Sequence, residues 1–321
     1  MKKSKIKFVG LHAHSVAGSI FDAIGYPQQH MDFAYENGSE ALALTDHGNM
    51  NGLAYQVLHA KKMKEAGKNF KPIFGCEAYF TPSIAEWQEE YEKAKEDKKR
   101  AKSLKKEKTS GATVEDEGAS KANQDILRRR RHLILLAQNQ TGLTNLFKLV
   151  SESYKSENYY RYPRMDYRLL EKYSEGVIAA SACLGGVYAG DYWENRDTPA
   201  DVTAAMNKTS QKMKEIFGDR WYAEIQWNNI PEQHELNQYV IETAKSNDIK
   251  LISTADSHYP NPTAWKDREL YKRLGWLGKG KPSWADEGGS ELPDAVEEIG
   301  YELYPKNGDQ MWDSYRIYSE Q

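Results

Sequence analysis

The stretch Phe8-Val9-Gly10-Leu11-His12-Ala13-His14-Ser15 is a short apolar run that ends in two histidines one residue apart. In an extended chain residues i and i+2 share a face, so both imidazoles can reach one point in space. That is the geometry of a metal clamp, although a lone His-x-His at a strand end reads equally well as two half-exposed polar side chains. Recurrence decides between the two readings. Outward from this stretch, strand-length apolar runs return at residues 7–11, 41–45, 72–80, 133–137, 177–181, 222–226 and 251–254, and amphipathic helical patterns fill 26–37, 51–65, 143–155, 200–217 and 232–247. Steady alternation of strand and helix implies parallel strands, and seven such units imply an α/β barrel rather than an open, doubly wound sheet, which is the alternative.

The 321 residues, 39% hydrophobic and 12% aromatic, can bury a sizeable core as one large or two modest domains. No apolar run reaches the length of a membrane span, and Met1-Lys2-Lys3 leads into a mixed segment instead of a signal core. The expected setting is therefore cytoplasmic, without a membrane partner. Two distant cysteines, Cys76 and Cys183, cannot form a disulfide framework and fit a reducing compartment. A net charge of −3 argues against wholesale nucleic-acid binding, but the charge is uneven. Residues 86–131 read as a charged helix to about residue 108 and then a mobile linker, and the tail beyond 260 is rich in Trp, Tyr and Gly. The organisation expected is a barrel over 1–260, a charged insertion at about 86–131 and a C-terminal extension over 261–321.

Residues with ligand chemistry fall where these strands end. His12 and His14 end the first, Asp46-His47 follows the second, Glu77 lies in the third, Cys183 follows the fifth and Asp256-Ser257-His258 follows the seventh. His132 is the exception, at the start of the fourth. In a parallel barrel the carboxyl ends of the strands carry the active site. Imidazole, thiolate and carboxylate hold zinc, manganese or iron, and a carboxylate such as Glu77 can bridge two ions. Five of the eight histidines sit in this set; His30, His59 and His234 lie on helical patterns and read as packing or surface residues. Cys76 should point away from Glu77, and Tyr79, Trp221 and Tyr222 read as core or rim.

Leu11-His12-Ala13-His14-Ser15, Ala43-Leu44-Thr45-Asp46-His47-Gly48-Asn49-Met50, Lys71-Pro72-Ile73-Phe74-Gly75-Cys76-Glu77-Ala78-Tyr79 and His132-Leu133-Ile134-Leu135-Leu136-Ala137 together resemble the polymerase and histidinol phosphatase (PHP) domain. More narrowly they resemble the version at the N-terminus of bacterial DNA polymerase III alpha subunits. Ser181-Ala182-Cys183-Leu184-Gly185-Gly186, Asn229-Ile230-Pro231-Glu232-Gln233 and Thr254-Ala255-Asp256-Ser257-His258-Tyr259 agree, so the likeness runs from about residue 7 to 275. The resemblance implies a distorted (β/α)7 barrel with two to three divalent ions. His12, His14, Glu77 and Asp256 would surround one ion; Glu77, His132 and Cys183 would hold a second; Asp22, His47 and His258 a third. Asp32 is the weaker substitute for Asp22. The implied activity is metal-dependent phosphoester hydrolysis, in the polymerase setting a 3′→5′ exonuclease acting on DNA ends. The alternatives are a catalytically silent module that docks a polymerase core and a small-molecule phosphatase of the histidinol phosphatase type.

Arg128, Arg129, Arg130 and Arg131, beside His132, suit phosphate-backbone binding, whereas seven basic residues within 98–108 read first as a solvated helix. The sequence has no Asp-x-Asp of the kind a polymerase palm uses, so this chain is not expected to polymerise alone. It reads as part of a split or truncated polymerase or as a free-standing phosphoesterase. The aromatic tail (Trp265, Tyr271, Trp276, Trp284, Tyr301, Tyr304, Trp312, Tyr315) is expected either to pack on the barrel or to dock a separately encoded polymerase core.

Overall fold

The computed structural model describes residues 4–107, 130–277 and 302–319. Its strands are β1 (Ala41–Leu44), β2 (Lys71–Phe80), β3 (Arg131–Ala137), β4 (Tyr159–Tyr160), β5 (Tyr162–Met165), β6 (Val177–Ala180), β7 (Trp221–Gln226) and β8 (Lys250–Thr254). The helices are α1 (Pro27–Glu36), α2 (Leu53–Glu65), α3 (Ile84–Glu107), α4 (Gln140–Ser153), α5 (Tyr167–Tyr173), α6 (Val187–Asn195), α7 (Pro199–Phe217), α8 (Pro231–Ser246), α9 (Trp265–Leu277) and α10 (Gly308–Tyr318). Among the described residues no helix is long and apolar enough to cross a membrane.

The sheet runs β1-β2-β3-β6-β7-β8, with the β4–β5 hairpin added to the far end of β2. Its two edges are joined by the histidine stretch. Gly10 bridges Leu42 and Ala13 bridges Ser257, just beyond β8. The His14 amide donates to the Ser257 carbonyl (2.7 Å), and the Ala43 and Thr45 amides donate to the Gly10 (2.8 Å) and Ala13 (2.7 Å) carbonyls. The expected first strand at 7–11 is thus only a few bridging residues centred on 10–14, but it closes a distorted seven-membered α/β barrel.

Not all strands are parallel, as the alternation implied. β3 runs antiparallel to both β2 and β6. β3 begins at the rim where β2 ends, with Arg131 paired to Phe80. The amino end of β3 therefore lies beside the carboxyl ends of the other strands, which puts His132 on the same rim as the rest.

Strand alternation sorts the side chains into layers. Ala78 and Phe80 of β2, Leu133 and Leu135 of β3, and Ala223 and Ile225 of β7 face the surrounding helices and join the main core. Ile73, Ile134, Leu136, Ile178, Ala180, Tyr222 and Ile252 pack together inside the barrel. The first turns of α3 anchor it: Ile84, Trp87 and Ala94 are buried at helical spacing, and Arg164 stacks 4.1 Å from the Trp87 ring. The linker expected beyond residue 108 lies outside the described residues.

The tail packs back on the barrel. Tyr304 is buried with Tyr259, Asp309 accepts from the Lys5 amide (3.1 Å), and Tyr315 lies 5.1 Å from Trp227. Trp312 remains 52% exposed, so part of the expected aromatic surface is open. The Trp276 side chain, Trp284 and Tyr301 lie outside what is described.

Candidate metal centre

The nine residues singled out above converge at one rim. His12 and His14 leave the bridging stretch with their Nε2 atoms 3.0 Å apart. Glu77, from the interior face of β2, reaches both: Oε1 is 3.2 Å from His12 Nε2 and Oε2 is 3.7 Å from His14 Nε2. Asp256 Oδ1 completes this group at 3.1 and 3.2 Å from the same nitrogens. On a second side Glu77 Oε1 lies 3.1 Å from His132 Nδ1 and 3.9 Å from Cys183 Sγ, and Sγ is 3.6 Å from His132 Nδ1. On a third, Asp22 Oδ2 meets His47 Nε2 (2.9 Å) and His258 Nε2 (3.4 Å), while His47 Nδ1 lies 2.5 Å from Glu77 Oε2. Asp22, not Asp32, occupies this place; Asp32 pairs with His59 on α2 (2.8 Å).

Several of these side chains are oriented from behind. Glu224, on the interior face of β7, accepts from His12 Nδ1 at 2.7 Å, which turns His12 Nε2 towards the cluster. Gln226 Nε2 (3.0 Å) and Thr254 Oγ1 (2.5 Å) donate to the same Glu224 oxygen. His258 Nδ1 donates to the Asp256 carbonyl (2.7 Å), again freeing Nε2. Arg268 of α9 donates to the Asp22 carbonyl (2.6 Å) and to Oδ1 (2.8 Å), so the other carboxylate oxygen turns inward. Asp46 accepts from the Ser15 amide (2.6 Å), Ser15 Oγ (3.0 Å) and Ser19 Oγ (2.9 Å), tying down the loop that carries Asp22. Sequence reasoning missed Glu224 and Arg268. Glu224 sits mid-strand in an otherwise apolar run, and that was the one available signal. Asp256 (φ 48°), Ala182 (φ 64°) and Phe21 (φ 65°), beside the cluster, hold left-handed backbone that non-glycine residues rarely adopt.

The electrostatics are those of a site built around positive charge. Burial works against ionised carboxylates, yet His258 and His47 hold Asp22 far below the usual range, and Asp256 and Glu77 are depressed by neighbouring imidazoles in the same way. Burial and the nearby His47 and His258 lower His14 to about 3. His47 is buried too, but Glu77 and Asp22 raise it to about 10. Cys183 is pushed up by burial and by Glu77 and Asp256. Glu77 Oε2 and Asp256 Oδ1, both buried, face imidazole nitrogens of the cluster. Ionised carboxylates and imidazole nitrogens aimed at common points, with His12 and His47 carrying positive charge while no ion is bound, are a donor set that fits divalent cations. Among the described residues three groupings have ligand atoms within 4.8 Å of one another: His12, His14 and Glu77; His47, Glu77 and His132; and His14, His47 and His258.

Two other histidines are packing residues: His30 Nε2 donates to the Ile24 carbonyl (3.0 Å) and His234 Nε2 to the Asn228 carbonyl (2.7 Å), both buried. Of the four arginines, Arg131 turns away from the cluster to Asp191 (2.7 Å) and Glu194 (2.9 Å). Arg130 stays on the rim, and Arg128 and Arg129 lie outside the described residues.

DNA polymerase III subunit alpha of Aquifex aeolicus is 40% identical over 255 residues, 79% of this chain and 18% of that protein. The Thermus aquaticus protein of the same name is 34% identical over 258 residues, 80% of this chain and 18% of that one. The chain thus spans about a fifth of the length of the curated relatives it matches. A solved histidinol phosphate phosphatase from Lactococcus lactis, complexed with zinc, L-histidinol and phosphate, is a distant likeness, at 14% identity and a TM-score of 0.34 over 84% of this chain and 94% of that one. The PHP domain family model matches residues 10–228, which include the histidine stretch, Glu77, His132 and Cys183, and the chain belongs to the PHP domain family.

Proposed function

We propose that this chain is a metal-dependent phosphoesterase that removes nucleotides from DNA 3′ ends, the 3′→5′ exonuclease of a replicative polymerase system. The observation that carries the reading is Glu77: one fully buried carboxylate in reach of His12, His14, His47, His132 and Cys183 at once. Such an arrangement suits adjacent cations sharing a bridging ligand.

In this reading His12, His14, Glu77 and Asp256 hold one divalent ion, Glu77, His132 and Cys183 a second, and Asp22, His47 and His258 a third. Zinc, manganese and iron match the donors. Ions bound there lower the pKa of water and neutralise charge on phosphoryl oxygens. The chain's own residues do the rest. Glu224 fixes the His12 tautomer, Arg268 orients Asp22, and Asp46 anchors the loop beneath it. A cytoplasmic setting and association with a polymerase core belong to the same reading. The names of the relatives and the exposed Trp312 beside Tyr315 support that partner.

The test is a 3′-mismatched primer-template with manganese, run beside metal analysis of the purified protein. The wild type should shorten the primer from its 3′ end. Asp256→Asn should lose at least about a hundredfold in rate, more than outer-shell partners alone carry, while keeping its fold. Protein without bound zinc, manganese or iron and without shortening would sink the reading. Turnover of a free phosphomonoester with none on DNA would favour a small-molecule phosphatase.

A further inference from the structure

Arg130 lies two residues before His132, and Arg131 points the other way into Asp191 and Glu194. Arg130 and His132 are therefore on the same side of the strand entry. Tyr79 is the cross-strand partner of His132, and it shares the interior face of β2 with Glu77. Its ring lies 6.1 Å from His47, nearly parallel at 12°, and 5.6 Å from His132. Tyr162 of β5 meets Tyr79 edge-on at 5.0 Å. The Arg130 guanidinium sits over the Tyr162 ring at 3.9 Å and over Tyr79 at 5.2 Å. Tyr79, Tyr162 and Arg130 thus stand as a wall one layer above the ligand cluster.

The wall is built for this placement. Gly48, the residue after His47, adopts φ +68°, and a Cβ there would meet Pro163 at 2.9 Å and Tyr79 at 3.0 Å. Only glycine lets the ligand loop pass under the aromatic pair. A guanidinium stacked on a ring uses its face for that contact and keeps its in-plane N–H donors in a fixed plane, the geometry that recognises phosphate. Lysine, a compact charge on a flexible stem, would not hold that plane.

We infer that Arg130, seated on Tyr162 and Tyr79, binds the phosphate next to the scissile one in a nucleic-acid strand, and so makes the centre select an oligonucleotide over a simple phosphoester. This rests on the phosphodiesterase reading above. The inference makes Arg130 a specificity residue, with Tyr162 as the platform that positions it.

Two measurements test it. The first compares steady-state hydrolysis of a short single-stranded oligonucleotide and of bis(p-nitrophenyl) phosphate, both with manganese, for wild type, Arg130→Ala, Arg130→Lys and Tyr162→Leu. Arg130→Ala should lower the kcat/KM ratio of oligonucleotide to bis(p-nitrophenyl) phosphate by about tenfold or more, the scale of a lost charge-assisted contact, mainly through KM. Arg130→Lys should recover only part of it and Tyr162→Leu should fall between. The second is fluorescence anisotropy of the labelled oligonucleotide with the same variants in EDTA. There Arg130→Ala should bind about tenfold more weakly. An equal loss on both substrates, full rescue by lysine, or unchanged oligonucleotide binding would overturn the inference. If the wild type hydrolyses neither substrate, the phosphodiesterase reading fails by itself, and the anisotropy series still decides the role of Arg130.

Discussion

The barrel interior has two ends of opposite character, built from the same strands. At one rim Glu77, His132, Glu224 and Thr254 project inward among the histidines and Asp256. Toward the other rim the inward positions are Ile73 of β2, Leu136 of β3, Ile178 of β6, Tyr222 of β7 and Ile252 of β8, which line a cavity of about 580 Å³ with Leu11, Ala180 and the first turn of α4. The apolar end holds the strands together by excluding water. The polar end contributes little of that kind and must offset the burial of several ionisable groups by pairing them. One end should therefore govern stability and the other metal affinity, and each can be perturbed separately.

The largest separable effect concerns the cost of the polar end. His30 of α1 backs this rim: its Nε2 meets the Ile24 carbonyl, and the Ile24 amide donates to the His258 carbonyl (2.9 Å). Burial lowers His30 from 6.5 to about 4, aided by the nearby His258 and opposed by the bond to Ile24. A depressed histidine favours its neutral form in the folded protein. Its contribution is complete above pH 6.5 and is lost as the pH falls through about 4, by up to roughly 3 kcal/mol at the acid end. Urea unfolding across this window should show the wild type losing that much more stability than His30→Gln. Parallel curves would mean that His30 is not buried neutral.

Next in size is the apolar end. Leu136→Ala removes a buried side chain that already borders the cavity, so the cost belongs at the low end for such changes, about 2 kcal/mol. Metal content and kinetics should stay as in the wild type. A large loss of bound metal in this variant would break the division between the two ends.

The smallest effect sharpens it from the other side. Glu224→Gln keeps an acceptor for His12, Gln226 and Thr254 but removes the charge that makes His12 a stronger donor. Metal affinity should fall by roughly 10–100-fold, with little change in the melting of the metal-free protein. Unaltered affinity would show that His12 is oriented by something other than Glu224.

Much of the fold and the centre was legible in one dimension, because the signals involved are local. His12-x-His14 and Asp256-x-His258 are two residues apart on extended chain, and the period of the pleat alone puts both members of each pair on one face. Most strands began and ended within a residue or two of where apolar runs meet polar residues, and α1, α2, α4, α7 and α8 followed from their amphipathic period. The short β4–β5 hairpin and α6 carry no such pattern, and they went unread.

What the sequence by itself determined is which residues could be ligands and which segments could be strands, since residue type and periodicity are properties of neighbours along the chain. What the tertiary structure alone decided is direction and company. That β3 runs backwards, which brings His132 to the ligand rim, depends on pairing with β2 and β6 across long loops. That Glu224 serves His12, 212 positions away, and that Arg131 turns away from the cluster while Arg130 stays on the rim, are likewise outcomes of packing. Strand direction and partner choice are settled by closing the barrel around its apolar layer, a free energy summed over contacts between residues that the sequence keeps far apart.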